Sequence, residues 1–288
     1  MQFDVSIVTS AKPSVWTFLS PAALLRSIIA PRYLILQLAW REVRARYHGT
    51  YLGILWSFLN PLLLLVVYTY VFSVLLGAKW GTNPDHFAFA LTLFAGLIAF
   101  SVFSEVVGRA PALVLSNPNY VKRVVFPLEI LPVVALTAVL VQSLMTLVIL
   151  VAAKVVLQGA LTPHVLLFPL TLLPVALLAL GIGWFLASLG VFVRDIGPVV
   201  ALAVQVLMFV TPIFYPLEVP LRILPDPLKF ILISNPLTVS VESFRDVVLR
   251  GASPNWLELG SAAIVGLVCC QLGFAFFMRT KKAFADVI

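Results

Sequence analysis

Charge is what this chain most lacks. Asp, Glu, Lys and Arg supply 11% of its 288 residues, while hydrophobic residues supply 61%. Soluble domains carry roughly 25% charged residues to coat their surface, so an ordinary water-soluble fold is excluded. The mean hydropathy of +1.08 agrees. Cysteine is nearly absent, with only Cys269 and Cys270, adjacent in an apolar run, which excludes a disulfide scaffold. No G-x-x-x-x-G-K-[ST] loop occurs, so the chain does not bind ATP in the P-loop manner. H-E-x-x-H, G-x-S-x-G and clustered Cys/His ligands are missing too, and the three histidines lie in separate loops expected to face solvent, so no metal site is expected. What remains is an integral membrane protein.

Long charge-free intervals supply the spans. A bilayer core is crossed by roughly 17–25 apolar residues in a helix. Spans are expected at about 50–78, 87–108, 130–153, 165–193, 196–216 and 258–278. They lack the apolar/polar alternation of barrel strands. The expected fold is therefore an all-α membrane protein with a six-helix transmembrane domain over 50–280, a preceding region 1–49 and a short tail 281–288. Pro132, Pro174 and Pro212 lie inside or near spans, where they kink a helix. With six spans, one side holds both termini, the segment after span two and the turn at Arg194. That side carries 13 of the 19 basic residues, and the acids divide evenly. The positive-inside rule makes it cytoplasmic. No cleavable signal peptide is expected.

Three segments outside the spans stand out. From Pro31 to His48, helical spacing puts Tyr33, Leu36, Trp40, Val43 and Tyr47 on one stripe, beside Gln37, Arg41, Arg44 and His48 on another. This describes an amphipathic helix lying in the headgroup region, as an anchor alone or also as a contact for a cytosolic partner or an anionic lipid headgroup. Between spans two and three, Ser116, Asn117, Pro118 and Asn119 open a short helix reaching Phe126, stopped by Pro127. Glu105 and Arg109, at the end of span two, are read as a local i,i+4 pair. Before span six, residues 218–258 are broken by five prolines into pieces too short to cross. Two short re-entrant helices, or an interfacial cover, are expected there, with turns at Asn235-Pro236 and Gly251. The central parts of the spans hold no charge, which disfavours ion-driven transport and embedded catalysis.

Several runs resemble one family. Arg44–Leu62 (RARYHGTYLGILWSFLNPL) is similar to the entry of the first span in membrane subunits of polysaccharide-exporting ABC transporters. Tyr120–Pro132 (YVKRVVFPLEILP) resembles their loop after span two, and Phe192–Gly197, Val210–Pro216 and Asn235-Pro236-Leu237 resemble later segments. The matches run in order through most of the chain, and the Lys122–Leu128 stretch leans toward the O-antigen type. The resemblance implies a type-2 exporter permease, not an enzyme, working as a homodimer in the bacterial inner membrane. Two copies of a separate ABC ATPase, which binds ATP and Mg, complete it. The cargo is then a polysaccharide on undecaprenyl diphosphate, most often lipopolysaccharide O antigen. Capsule and teichoic-acid exporters remain open as relatives, as do a drug or small-lipid permease and a membrane-embedded enzyme of polyprenyl-linked sugars.

On that reading, Ser116, Asn117, Tyr120, Lys122 and Arg123, with Arg194 and Asp195, are the expected contacts to the ATPase. Arg194-Asp195 reads equally well as a helix cap and charge anchor. Arg41, Arg44, Arg46 and Gly53 are expected at a cytoplasmic mouth that meets the lipid diphosphate. A wettable passage needs faces on which sugar rings stack. Trp56, Tyr68 and Tyr70 in span one, with Phe209, Phe214 and Tyr215 in span five, are the candidates. Belt aromatics are the competing explanation for Tyr68, Tyr70 and Tyr215, and packing for Trp56.

Overall fold

The structure is a computed structural model, described over residues 20–46, 51–75, 77, 86–121, 126–159 and 161–287. Its regular elements are all helical among the described residues. Two N-terminal helices, α1 (Pro21–Ile29) and α2 (Arg32–Ala45), are bent 62° from one another. A tight turn at Gly53, whose φ of +50° favours glycine, leads into α3 (Trp56–Tyr68), which continues as a π-helical turn to Leu75. Then come α4 (His86–Leu113), the one-turn α5 (Pro118–Val121), α6 (Leu131–Gln158) and α7 (Phe168–Phe192). α8 (Ile196–Val210) is followed by three short helices, α9 (Glu218–Ile223), α10 (Asp226–Ser234) and α11 (Pro236–Arg245). α12 (Trp256–Thr280) and α13 (Phe284–Val287) close the chain.

Local chemistry sets most of these boundaries. Pro132 occupies the first turn of α6, where its missing N–H is not needed, and Gly159 ends that helix with φ +77°. The side chains of Asn235 and Asn255 accept from the backbone N–H of Leu237 and Leu257, capping α11 and α12. Among the described residues four helices are long and apolar enough to cross a membrane: Phe87–Leu113, Leu128–Gln158, Pro163–Phe192 and Trp256–Ala283. Phe58–Phe72 and Ile196–Val210 are shorter apolar helices. α8 stops six residues before the expected end of span five. Thr211 precedes Pro212 and adopts ψ 138°, because the proline ring disfavours the helical region for the residue before it.

The core lies where α4, α6, α7 and α12 meet, with Trp184 of α7 fully buried at its centre. α7 and α12 approach so closely that a Cβ on Gly273 would run into the Gly181 carbonyl, and one on Gly266 into the Pro174 carbonyl. Small residues at facing positions let two apolar helices gain contact where lipid offers no hydrophobic driving force. Gly190 repeats the device between α7 and Pro111 of α4. α11 is sunk into this core, in contact with α4, α7 and α12, and most of its side chains are buried.

α2 is oriented by a stripe that the expectation did not single out. Ile35, Ala39 and Val43 are buried, and the helix packs on α6. Tyr33, Leu36 and Trp40 stay exposed, so Val43 belongs to the packed face rather than to the aromatic one. The guanidiniums of Arg32 and Arg44 lie 5.0 and 5.1 Å from the ring centroids of Tyr33 and Trp40. Tyr47 and His48 lie outside the described residues. His164 is half-buried, not solvent-facing as expected.

One end of the molecule gathers α2, the α4–α6 connection, the α7–α8 turn and the C-terminal residues. There Lys281 Nζ meets Glu129 Oε2 at 2.6 Å, and Trp184 Nε1 donates to the Glu129 carbonyl at 2.8 Å. At the opposite end Lys154 donates to the Val248 carbonyl.

Candidate functional site

A cleft of about 500 Å³ opens at the Glu129 end, between α2 and α4. Arg41, Glu42, Arg109, Ser116, Asn117 and Tyr120 line it. Arg41 Nη2 donates to the Tyr120 hydroxyl at 2.7 Å, and the Tyr120 ring stacks on Phe126 at 4.1 Å. Asn117 Nδ2 donates to the Leu113 carbonyl, closing α4. The structure thus brings Arg41, from the expected lipid mouth, together with Ser116, Asn117 and Tyr120, from the expected ATPase contacts. Lys122 and Arg123 lie outside the described residues. Arg194 and Asp195 are exposed in the α7–α8 turn. Asp195 stands at the N-cap position of α8, but its side chain makes no capping hydrogen bond.

The pair read as local, Glu105 with Arg109, is not formed. Arg46 of the α2 end meets Glu105 at 2.9 Å, and Arg109 meets Glu42 of α2. Each charge meets the opposite charge on α2 instead, where Glu42 and Arg46 repeat the four-residue spacing of Glu105 and Arg109. These two cross-helix pairs bind α2 to the end of α4. Their signal in the sequence was only the matched spacing, Glu42/Arg46 against Glu105/Arg109.

A second cavity, of about 640 Å³, lies between α3 and α8, with α4 and α6 behind it. Trp56 and Tyr68 face it, as does Arg46 at one end. Its lining is unexpectedly polar: Asn60 from α3, Ser101 and Ser104 from α4, Gln142, Ser143 and Thr146 from α6, and Gln205 from α8. Asn60 and Gln205 are exposed on their helices. The amides were legible as lone polar residues in charge-free runs; a screen for charge alone passed over them.

The other expected lining residues sit elsewhere. Tyr70 faces an apolar pocket with Phe87 and Leu91. Phe214 stacks on Phe209, 5.6 Å between centroids, and Phe72 lies 6.2 Å from it. The Tyr215 hydroxyl donates to the carbonyls of Phe209 and Val210, closing the end of α8. Arg44 is exposed near Trp40, and Gly53 forms its turn away from both cavities.

A buried arginine joins α11 to the broken end of α8. Arg245 has no exposed surface. It donates to the carbonyls of Thr92 (3.0 Å), Pro212 (2.6 Å) and Ile213 (2.9 Å), and pairs with Glu242 at 2.6 Å. Arg250 closes the cluster through Glu242 and Asp246. Sequence reasoning placed these charges in the segment before span six and missed the burial of Arg245.

Among the described residues no group of His, Cys, Asp and Glu is arranged to hold a metal ion. Comparison with known proteins gives the chain its relatives. The profile of the family "ABC-2 type transporter" matches residues 33–249. "O-antigen export system permease protein RfbA" of Myxococcus xanthus is 30% identical over 270 residues, covering 92% of this chain and 99% of that protein. A protein of the same name from Klebsiella pneumoniae is 24% identical, covering 86% of this chain and 92% of its own length. "Polysialic acid transport protein KpsM" of Escherichia coli is 26% identical, covering 84% and 92%. The chain belongs to the ABC-2 type transporter family, as a membrane permease and not an enzyme.

Proposed function

We propose that this permease forms the membrane passage of an ATP-driven exporter that moves undecaprenyl-diphosphate-linked polysaccharide, O antigen in the first place, across the bacterial inner membrane. The observation that carries the proposal is the near full-length match to a protein named as an O-antigen export permease. Capsular polysaccharide is the second reading, favoured by the likeness to the polysialic acid transport protein. Family membership implies an ABC ATPase as partner. The assembly proposed is a homodimer of the permease with two ATPase copies, which hold ATP and Mg. Six crossings are proposed: the four long helices, α3 with its π-helical extension, and α8. Both termini then face the cytoplasm, where the excess of Lys and Arg lies. α10 and α11 form the re-entrant pair.

The working cycle follows from the two cavities. Movement of the ATPases is felt at the α2–α4 cleft through Tyr120, Ser116 and Asn117, with Lys122, Arg123, Arg194 and Asp195 as further contacts. The ion pairs from α2 to Glu105 and Arg109 carry it into α4, which forms the back wall of the second cavity. Trp56 and Tyr68 offer stacking faces to passing sugar rings there. Depleting the protein in its native cell tests the function. Loss of surface polysaccharide with lipid-linked polymer accumulating inside is expected and identifies the cargo. Loss without internal accumulation points to synthesis, and an unchanged surface overturns the proposal.

A further inference from the structure

At the end of the molecule that holds the α2–α4 cleft, one carboxylate gathers several segments of the chain. Glu129 stands in the single helical turn Leu128–Ile130 that leads into α6. Leu128 and Ile130 on either side are buried, and the Glu129 side chain is only 13% exposed. Its backbone carbonyl accepts from Nε1 of the fully buried Trp184 of α7 at 2.8 Å. Its Oε2 accepts from Lys281 Nζ at 2.6 Å, just past the end of α12. α1 packs on the same turn. An ion pair drawn out of water adds little stability beyond what apolar packing would give; its best-attested use is to fix register. The pull of a helix C-terminus on basic side chains does not single out Lys281, since Arg279 and Lys282 beside it are exposed.

The segment that carries Lys281 is itself tied down. The Thr280 hydroxyl shares a hydrogen bond with Ser188 of α7. Phe284 has no exposed surface, and its ring lies 5.4 Å from Phe277 and 6.0 Å from Phe192 at the end of α7. Phe192 comes two positions before Arg194, in the turn proposed as the second ATPase contact. On the other side, Pro127 joins the Glu129 turn to Phe126, whose ring stacks on Tyr120 of the α2–α4 cleft. A line of packed rings and one ion pair thus runs from Tyr120 through Glu129 and Lys281 to Phe284 and Phe192. Such lines of packed and paired side chains carry coupling between distant sites. We infer that residues 280–287 form a clasp that locks the two ATPase-facing turns together, so that a stroke received at one moves both. Glu129 and Lys281 are positioning residues, acting through Tyr120 and the Arg194-Asp195 turn. The inference rests on the reading of those turns as ATPase contacts and adds the part that joins them.

The test uses the assembled permease–ATPase complex in proteoliposomes, supplied with lipid-linked polysaccharide from the same cell. It reads ATP hydrolysed per polymer moved, a ratio that loss of folded protein alone does not change. Glu129→Gln and Lys281→Met are each expected to raise that ratio about three-fold or more, because strokes then reach one turn and not the other. The exchanged pair Glu129→Lys/Lys281→Glu is expected to return it toward the unmodified value. A ratio left unchanged in both single variants overturns the inference and leaves the pair as packing. Should Glu129→Gln fail to assemble, Lys281→Cys is compared before and after aminoethylation, which restores a cation of lysine's length. The unmodified complex, treated alike, controls for reaction at Cys269 and Cys270. Coupling restored by aminoethylation supports the clasp, and an unmoved ratio sinks it. Failure of the underlying reading looks different: Lys122→Glu/Arg123→Glu then leaves transport and ATPase activity untouched as well.

Discussion

Arg245 shows how one side chain can hold a helix break in place. The break before Pro212 frees carbonyls that no helix satisfies, and unsatisfied carbonyls are costly away from water. The planar guanidinium, with five donors in a fixed fork, answers the carbonyls of Pro212 and Ile213 together with that of Thr92 and the carboxylate of Glu242. Gly96 makes the room, since a Cβ there would come within 2.6 Å of Arg245 Nη2. Arg245→Ala strands Glu242 and the carbonyls and is expected to destabilise the protein by about 3–5 kcal/mol, the usual cost of breaking a buried pair. Arg245→Lys, with a compact ammonium, recovers less than half of that. Thermal unfolding followed by fluorescence-detected size exclusion checks both, and an unaltered midpoint for Arg245→Ala refutes the role. None of this was legible in the sequence. The partners come from Thr92, 153 positions away, and from a helix end, so Arg245 read as one charge among nine in the segment 218–258.

At the scale of elements, legibility tracked how sharply each helix is punctuated. Charge or turn formers bound α6, α7 and α12, and the charge-free intervals located them to within a few residues at most ends. α8 was drawn too long because Pro212 was weighed as a kink, whereas Thr211 turns extended before it. The face of α2 was misread for a different reason. Aromatic and basic stripes draw attention, but the packed stripe is Ile35, Ala39 and Val43, with a small residue at its centre that lets α6 come close. The same principle governs α7 against α12, where glycines were visible but their partners were not. Gly273→Leu is expected to force these helices apart, costing at least the roughly 1–3 kcal/mol of an overpacked core. Gly260→Leu, at a position with open space around it, serves as the neutral control. Comparable loss of folded protein in both variants would show that the close approach is not what matters.

Across the whole molecule, the candidate site was legible in part. Tyr120, Ser116, Asn117 and Arg41 do come together at one cleft, whereas the six aromatics proposed for a passage scatter: Trp56 and Tyr68 face the polar cavity, and Tyr215 ties off α8. Sequence can nominate residue types for a wall, but which face of each helix turns inward depends on packing between segments far apart in the chain. Lys122→Glu/Arg123→Glu is expected to lower ATPase activity of the assembled complex several-fold while membrane insertion stays intact. Transport at the unmodified rate in that double variant would remove the pair from the coupling contact.

The shortness of α8 reaches beyond the protein. Fifteen residues rise about 22 Å, whereas the hydrocarbon layer is about 30 Å thick. A helix too short for its surroundings draws the lipid surfaces together, at a modest cost for each ångström of mismatch. With α8 as one of the proposed crossings, the bilayer beside it is pinched along one wall of the polar cavity. A lipid that must carry a hydrophilic head across meets its thinnest barrier at that place. Turnover in vesicles is accordingly expected to fall as the acyl chains of the host lipids are lengthened, and a rate indifferent to chain length would show that neighbouring helices bridge the deficit.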